Sequence, residues 1–183
     1  MEYCKTVVLK DGRTCVLRNG TARDGAGAAE VFNLTHAETD FLASYPDEHT
    51  VSAEQEADFM RGRTESKNEI ELVAEVDGRI VGLAGIDCVG PREKLRHRAS
   101  FGISILRAYW GLGIGRAMIR ACIDCAKRAG YRQIELEAVS ENAHAIALYE
   151  SEGFVEYGRN PRGFRSRSGG FQTLVMMRLE VDE

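Results

Sequence analysis

Residues 107–116 read Arg-Ala-Tyr-Trp-Gly-Leu-Gly-Ile-Gly-Arg, and three glycines stand at alternate positions within them. The apolar residues 101–106 before this stretch predict a strand. A helix is predicted after it, because apolar side chains recur there in steps of three and four. These side chains belong to Ile114, Ala117, Met118, Ala121, Cys122, Cys125 and Ala129. Glycine lets backbone N–H groups approach a ligand closely, and the first turn of a helix adds unpaired donors and positive potential. The stretch therefore predicts a site for a phosphate or a pyrophosphate.

The glycine spacing does not by itself identify the phosphate ligand. A dinucleotide-binding loop reads G-x-G-x-x-G, whereas the third glycine here comes one position early, at Gly115, and Arg116 follows it. Glu135 supplies the acidic residue that such a fold carries about twenty positions later. However, a dinucleotide fold usually opens with its loop, and this loop lies far into the chain. A tight turn without a ligand stays an alternative on this stretch alone.

A second stretch, residues 134–154, adds the information that the glycines lack. It predicts a strand, from the alternation in residues 134–139, and then a helix that ends at Gly153. Asn142, Ala145, the pair Leu148-Tyr149 and the pair Gly153-Phe154 closely resemble the second cofactor motif of the GCN5-related N-acetyltransferase (GNAT) superfamily. Residues 137–154 are especially similar to the ribosomal-protein alanine N-acetyltransferases. The family's first motif, [QR]-x-x-G-x-[GA], corresponds to residues 110–115, with Trp110 in the Gln/Arg place.

The order of predicted elements is a hairpin, two helices, three strands, a helix, a strand, a helix and two strands. This order favours an α/β (α+β) fold with a mixed, mostly antiparallel central sheet flanked by helices. The resemblance implies the same fold, in which the glycine-rich strand-to-helix loop binds the acetyl-CoA pyrophosphate. It also implies that the strand at 101–106 runs parallel to the strand at 134–139. We expect one N-acetyltransferase (GNAT) domain over residues 1–183.

Turn and cap signals predict where the remaining elements begin and end. The dipeptides at 11–12 and 77–78 are Asp-Gly, which predicts tight hairpin turns in both places. Asp24 is predicted to cap a helix that runs to about residue 37. Ser52 and Gln55 form a predicted capping box for a helix that stops near Gly62. The last two strands are predicted at 154–158 and 172–179. The arginine-bearing linker 159–170 between them is either a solvent-facing loop or a lid that contacts the substrate or an anionic ligand.

Composition and charge exclude several classes of protein. The chain has 183 residues, a formal net charge of −4, 44% hydrophobic residues and 28% charged residues. These values are ordinary for a globular protein, and the negative charge argues against general nucleic-acid binding. No apolar run is long enough to span a membrane, and the N-terminus lacks a signal-peptide pattern. We therefore expect no nucleic-acid or membrane partner and a cytoplasmic location.

The cysteines do not predict a metal site. There are five of them, an odd number without the rhythm of a disulfide framework. Cys122 and Cys125 form a C-x-x-C pair, but a zinc site needs about four ligands, and neither a second pair nor a histidine cluster stands nearby. Because the two residues are three apart on the apolar face of the predicted helix, we expect them to be buried side chains. No metal is needed for the reaction that the family performs.

The resemblance implies two catalytic residues. Tyr149 stands where the family places a tyrosine beside the cofactor sulfur, and a phenol is protonated at neutral pH, so Tyr149 is the candidate proton donor. Glu137 precedes Asn142 by five residues, as does a glutamate of the ribosomal-protein enzymes that helps to deprotonate the amine. Glu137 is therefore the candidate base. Glu135 faces the same side of the strand and stays an alternative, and weaker alternatives are Glu71, Glu75 and His144.

The resemblance also implies which residues bind acetyl-CoA. The pyrophosphate is expected on the backbone N–H groups of Leu112, Gly113, Gly115 and Arg116. The pantetheine arm is expected to pair, as an added strand would, with main-chain groups of Ile103 and Ile105. Asn142 is expected to bind the same arm, although on physical grounds it is equally a helix N-cap. The side chains of Arg107 and Arg116 either face the adenosine phosphates or are simply exposed.

Together these observations predict an acetyl-CoA-dependent N-acetyltransferase. A primary amine would attack the thioester directly in a ternary complex, and the acceptor is a small amine or a protein N-terminus. The alternative is a non-catalytic acyl-CoA-binding module of the same fold, and a nucleotide-binding oxidoreductase is a third, weaker reading. Homodimers are among the assemblies that such families form.

Overall fold

A computed structural model describes residues 1–181, so Asp182 and Glu183, the last two residues of the expected domain, lie outside the described residues. Its eight-stranded sheet has the order β1-β2-β3-β4-β5-β6-β8-β7. The strands are β1 Cys4–Val8, β2 Thr14–Asn19, β3 Ile70–Val76, β4 Arg79–Cys88, β5 Arg98–Ile105, β6 Gln133–Val139, β7 Val155–Ser166 and β8 Gly170–Glu180. The α-helices are α1 Gly25–Glu38, α2 Ala53–Glu65, α3 Ile114–Arg128 and α4 Ala143–Ser151. The mixed, helix-flanked sheet predicted from the sequence is confirmed.

One parallel pair interrupts an otherwise antiparallel sheet, and this pair separates along its length. β5 and β6 are the parallel neighbours, and they pair only at Arg98–Gln133, Ala99–Ile134 and Ser100–Glu135. Beyond residue 100, β5 stays paired with β4 as far as Ile105, while β6 stays paired with β8. The result is a slot through the sheet between residues 101–105 and residues 136–139. One edge of each strand is open there.

The helices cover the two faces of the sheet. Gly82 faces α3, because a Cβ at Gly82 would lie 3.3 Å from the Met118 sulfur. Met60 of α2 lies on the opposite face together with Val73, because a Cβ at Gly20 would meet both of these side chains. We call these two sides the α3 face and the α2 face. Since side chains alternate along a strand, Glu71 lies on the α2 face together with Val73.

The core lies on both sides of the central strands. Side chains from β3 and β4 meet the apolar stripe of α3 on one face and α1 and α2 on the other. Its largest fully buried members include Leu17, Met60, Ile70, Leu72, Ile86, Ile114, Met118, Ile119, Ile134 and Met177. Cys122 and Cys125 belong to this core, as predicted, and burial raises the pKa of both thiols. Within residues 1–181, no group of His, Cys, Asp and Glu side chains is arranged to hold a metal ion.

One predicted cap is absent and one predicted boundary is wrong, although α1 begins directly after Asp24 and ends at Glu38, close to its predicted bounds. Asp24 makes no side-chain cap to α1, because a 3-10 turn at Ala22–Asp24 precedes this helix and turns the Asp24 carboxylate back towards Thr21 and Arg18. The linker 159–170 is not a loop, since most of it extends β7 and pairs with β8, as at Phe164–Gln172. In the linker, pairing with β8 overrides the local preference for a loop.

Other local signals are confirmed. Ser52 and Gln55 form the reciprocal capping box of α2, which continues to Glu65, three residues beyond its predicted end. Gly153 takes a φ of 95° after α4, as a left-handed helix end requires. Within the described residues, no helix is long and apolar enough to cross a membrane.

Candidate functional site

The glycine-rich turn presents unpaired backbone donors. Gly111 and Gly113 have φ angles of 76° and 97° and are exposed, so both occupy the left-handed region that glycine tolerates best. Helical hydrogen bonding begins with Ala117, which donates to the Gly113 carbonyl. The N–H groups of residues 111–116 donate to no acceptor in the described part of the chain. The turn is thus open to a ligand, and its free amides converge at the start of α3, where the helix dipole is positive.

The third glycine of the turn has a different role. Gly115 lies in the first turn of α3 with no unusual φ, and a Cβ there would sit 3.2 Å from Leu148 and 3.5 Å from Ile105. It therefore lets α3 approach α4 and the end of β5 closely. The neighbouring Arg116 side chain bonds Ser151 and Glu152, at 3.1 and 3.0 Å. Its guanidinium is already neutralised by protein, while its backbone N–H remains unpaired.

Trp110 occupies the open edge of β5 in a way that the sequence did not predict. The Leu106 N–H donates to Val81 of β4 at 2.9 Å, so alternation along the strand turns the main-chain groups of Ile103 and Ile105 towards the slot. The Trp110 indole donates a 2.7 Å hydrogen bond to the Ile105 carbonyl. One of the groups expected to bind the pantetheine arm is therefore engaged. The main-chain N–H and C=O groups of Ile103 and the N–H group of Ile105 still line the slot.

The Arg107 side chain is held by this tryptophan. Its guanidinium lies 5.5 Å from the centre of the Trp110 ring, in a cation–π arrangement. The backbone N–H of Arg107 donates to Glu38 at the end of α1. Both the side chain and the backbone N–H of Arg107 therefore contact other parts of the protein.

Asn142 begins α4 at the far side of the slot. Its side-chain oxygen accepts from the Ala145 N–H at 3.3 Å, so the N-cap interpretation is correct. The side-chain NH₂ of Asn142 has no acceptor among residues 1–181. A role for that NH₂ in binding the pantetheine arm stays a prediction.

Tyr149 lies on the α3 face beside the slot. Its ring packs against Phe101 of β5 at 6.2 Å, edge to face, and against Phe154 at 5.9 Å. The residue is 9% exposed, and its hydroxyl makes no hydrogen bond within the described chain. Burial raises the pKa of Tyr149 to about 12. The phenol is therefore protonated at neutral pH, and its proton is free to reach a group that enters the slot.

The two candidate bases of β6, Glu135 and Glu137, differ in their contacts. Glu135 is paired with Arg98 through two hydrogen bonds, and this contact holds the pKa of Glu135 below its usual value. Glu137 is exposed, and its carboxylate has no partner among the residues described. Glu137 stands two positions past the last β5–β6 pair, so it faces the slot where Glu135 does not. Of the two glutamates, only Glu137 has a carboxylate that no arginine of the described chain neutralises.

A second carboxylate, on β3, lies in the same row across the strands as Glu137 of β6. Glu71 of β3 pairs in register with Gly85 of β4, which pairs with Gly102 of β5. A Cβ at Gly85 would collide with the Glu71 carboxylate, so this side chain lies across Gly85 and points towards the slot. Burial raises the pKa of Glu71 to about 8, and the nearby carboxylates of Asp87 and Glu56 add to the shift.

The shifted pKa of Glu71 predicts a pH-dependent stability. The unfolded chain ionises Glu71 near its ordinary pKa of 4.5, whereas the folded protein does so near 8. Folding stability is therefore lost as the pH rises through this interval. Glu71→Gln cannot ionise, so we expect it to raise the free energy of unfolding at pH 8.5 by on the order of 2–4 kcal/mol and to change it little at pH 4.5. Urea unfolding at both pH values checks this, and a gain that is equal at both would contradict it.

The connector 39–52 between α1 and α2 contacts the hairpin tip 166–170 between β7 and β8. Ser166 donates to Asp40 at 2.6 Å, and the Arg167 N–H donates to the Tyr45 hydroxyl at 2.8 Å. Arg167 also pairs with Asp47 at 2.6 Å and stacks on the Tyr45 ring. An open cleft of about 410 Å³ lies along this junction. The arginine-bearing segment is therefore attached to the α1–α2 connector instead of extending freely into solvent.

These features describe a slot with a phosphate-type turn on one face and two carboxylates on the other. Residues 33–154 match the family model described as the acetyltransferase (GNAT) family. The chain belongs to this family. It is accordingly an acetyl-CoA-dependent N-acetyltransferase, as the resemblance in the sequence implied.

Named relatives differ in what they act on. The chain is 26% identical to the L-amino acid N-acyltransferase MnaT of Escherichia coli, over 91% of this chain and 94% of that protein. It is 37% identical to the N-alpha-acetyltransferase RimI of Mycobacterium tuberculosis, but over only 50% of this chain and 56% of that one. One of these relatives is thus named for amino acids and the other for α-amino groups.

Solved structures of the family share the fold. The structure of a GNAT-family acetyltransferase from Streptococcus pneumoniae has a TM-score of 0.86 at 27% identity and covers 92% of this chain and 99% of its own. A Salmonella typhimurium structure that contains acetyl-CoA has a TM-score of 0.82 at 24% identity, with 92% and 95% coverage. At this identity the second likeness speaks only for the fold.

Proposed function

We propose that this GNAT enzyme transfers an acetyl group from acetyl-CoA to a primary amine by direct attack in a ternary complex. The observation that carries the proposal is the slot itself, because it joins the glycine-rich turn and Tyr149 on the α3 face to Glu137 on the α2 face. The two substrates can then reach one another through the sheet without a covalent enzyme intermediate. The only cysteines of α3, Cys122 and Cys125, are buried in the core and do not reach the slot as nucleophiles.

The donor side follows from the free main-chain groups. The amides of Leu112, Gly113, Gly115 and Arg116 bind the pyrophosphate of acetyl-CoA, since convergent N–H groups at a helix start suit two adjacent anionic groups. The pantetheine arm pairs with Ile103 and with the remaining N–H of Ile105, and the Asn142 NH₂ bonds the same arm. This arrangement brings the thioester beside Tyr149.

The chemistry needs a neutral amine and a protonated leaving thiol. Glu137 accepts a proton from the ammonium of the acceptor, directly or through one water molecule, and leaves a lone pair on nitrogen. The nitrogen forms the new C–N bond as the C–S bond breaks, and its second proton passes to water, which leaves a neutral amide. Tyr149 gives its proton to the sulfur and regains one from water. The amine proton thus leaves on the α2 face, and the thiol is protonated on the α3 face.

Release of coenzyme A thiol tests the proposal. We expect the native protein to release thiol from acetyl-CoA when primary amines are supplied and to release very little without them. Glu137→Gln should lower kcat about 100-fold, as the loss of a general base does, while leaving acetyl-CoA affinity within about threefold. Glu141→Gln, an exposed acid four residues further on, is the matched control and should behave as the native protein.

Two outcomes would contradict the proposal in different ways. Tight binding of acetyl-CoA by calorimetry without thiol release for any amine would favour the non-catalytic acyl-CoA-binding module. Full activity of Glu137→Gln would leave the transfer reaction in place and remove this glutamate from it.

A further inference from the structure

We propose that the acceptor is an aliphatic diamine, and that Glu71 binds its second ammonium group while the first one reacts in the slot. The inference rests on the proposed function, because it names the acceptor class for that same slot. It makes Glu71 a specificity-determining residue that touches the substrate away from the reacting atoms. None of the named relatives is described as acting on a diamine.

The sheet register supplies the geometry. Glu71, Gly85 and Gly102 lie side by side on three neighbouring strands, and all three are on the α2 face. The parallel pairing of Ser100 with Glu135 places Glu137 opposite Gly102 across the slot. The row therefore carries a carboxylate at each end and two glycines between them.

The two glycines leave room for an alkyl chain. A Cβ at Gly102 would meet no heavy atom within 4 Å, so the floor of the row is open there. Neighbouring strands lie about 4.8 Å apart, which places the Glu71 carboxylate, over Gly85, roughly one to two strand spacings from the slot. A chain of four methylene groups separates two nitrogens by about 6 Å when extended. Such a chain spans the interval from the slot to Glu71.

The Glu71 carboxylate has acidic neighbours and, in the described chain, no cation of its own. The Glu71 carboxylate has no hydrogen-bond partner among residues 1–181, and its nearest charged neighbours include Glu56 of α2 and Asp87 of β4. Arg63 is the cation of this group, but it already pairs with Glu69 and Asp87. Burial raises the pKa of Glu71, Glu56 and Asp87. Neighbouring carboxylates add to the shift for Glu71 and Asp87, whereas His49 opposes it for Glu56. An ammonium group placed against Glu71 would favour its ionised form.

The same charges disfavour a carboxylate on the acceptor. An α-amino acid or an ω-amino acid would bring an anion into surroundings that already hold Glu56, Glu69, Glu71 and Asp87 around Arg63. The carboxylate of such an acceptor would need a free cation, and Arg63 is engaged. An acceptor with a methyl group in place of the second ammonium would leave Glu71 without a partner.

Three acceptors with four carbon atoms each test the inference: 1,4-diaminobutane, butylamine and 4-aminobutanoate, which end in an ammonium, a methyl and a carboxylate group. We expect kcat/KM of the native enzyme to be about 10- to 100-fold higher for the diamine than for butylamine, as one charge-assisted hydrogen bond to a partly buried group gives. The carboxylate compound should be the poorest. In Glu71→Gln, the ratio of diamine to butylamine should fall to within about threefold of one.

Glu75→Gln is the matched control, since Glu75 lies on the same strand and face but pairs with Arg18. It should keep the native ratio. Equal kcat/KM for the three acceptors in the native enzyme, or an unchanged ratio in Glu71→Gln, would overturn the inference while thiol release still supported the acetyltransferase. Calorimetry with 1,4-diaminobutane in the presence of coenzyme A tests whether the diamine binds even if it is not acetylated. If the native protein binds the diamine, Glu71→Gln does not, and neither shows turnover, the result would support diamine binding at Glu71 and refute the transfer reaction.

Discussion

Tyr149→Phe is expected to lower kcat for thiol release about 100-fold or more and to leave acetyl-CoA affinity within about threefold. The ring of Tyr149 is fixed between Phe101 and Phe154, and these contacts do not involve its hydroxyl. Phenylalanine therefore keeps the packing and removes only the proton donor. Without it, the sulfur leaves as an unprotonated thiolate in a partly apolar slot, which raises the barrier. Steady-state kinetics with a saturating amine measures kcat, and calorimetry measures the affinity.

Tyr131→Phe provides the control for this experiment. Tyr131 is also buried, and its hydroxyl accepts a hydrogen bond from Asn68 at 2.8 Å, away from the slot. This variant should lose some stability and keep the native kcat. If Tyr149→Phe retains kcat within about threefold of the native value, the proton reaches the sulfur from another source.

Gly111→Asp is expected to weaken acetyl-CoA binding by about 10- to 100-fold, while Gly111→Asn changes it little. Gly111 has a φ of 76°, and a Cβ there meets no heavy atom within 4 Å. Asp and Asn are the side chains that tolerate this left-handed conformation best, so both variants should fold. They are nearly equal in size and differ in charge. A carboxylate at the mouth of the turn repels the pyrophosphate through a short, partly dehydrated gap.

Titration calorimetry with coenzyme A and acetyl-CoA provides the measurement, at low and at high salt. Because exposed charges are screened by salt, the deficit of Gly111→Asp should shrink at high ionic strength. Equal weakening by Asp and Asn would indicate that the turn had changed shape. No weakening by either would place the pyrophosphate elsewhere.

Features encoded by neighbouring residues were predicted well from the sequence. Asp77 and Gly78 both take positive φ, 52° and 76°, as a tight hairpin between β3 and β4 requires. The capping box at Ser52 and the left-handed Gly153 are as predicted. In each case a short-range geometric demand selects a few residue types, so the residue type reveals the geometry. The family motifs at 110–115 and 142–154 are short-range features of the same kind.

Features that depend on register or on distant partners were missed or left open. The sequence does not show that Glu71, Gly85 and Gly102 lie in one row, because the β-bulge near Ala74 and the length of the 89–97 connection decide which residues face each other. Similarly, glycines, serines and arginines in residues 159–170 favoured a loop, but pairing with β8 and contacts to the connector made the segment a long strand. The bond from Trp110 to Ile105 needs the 3-10 turn at Arg107–Tyr109, which no local signal indicated.

The opening between β5 and β6 also has a consequence for how such enzymes diversify. In the proposed arrangement, donor recognition depends on main-chain atoms and a short turn on one side of the sheet, whereas acceptor contacts come from side chains of other elements on the reverse side. Mutation can therefore remodel what is acetylated without disturbing how the acetyl carrier is held. Such a division agrees with the RimI likeness covering half of this chain, and with relatives named as an L-amino acid N-acyltransferase and as an N-alpha-acetyltransferase.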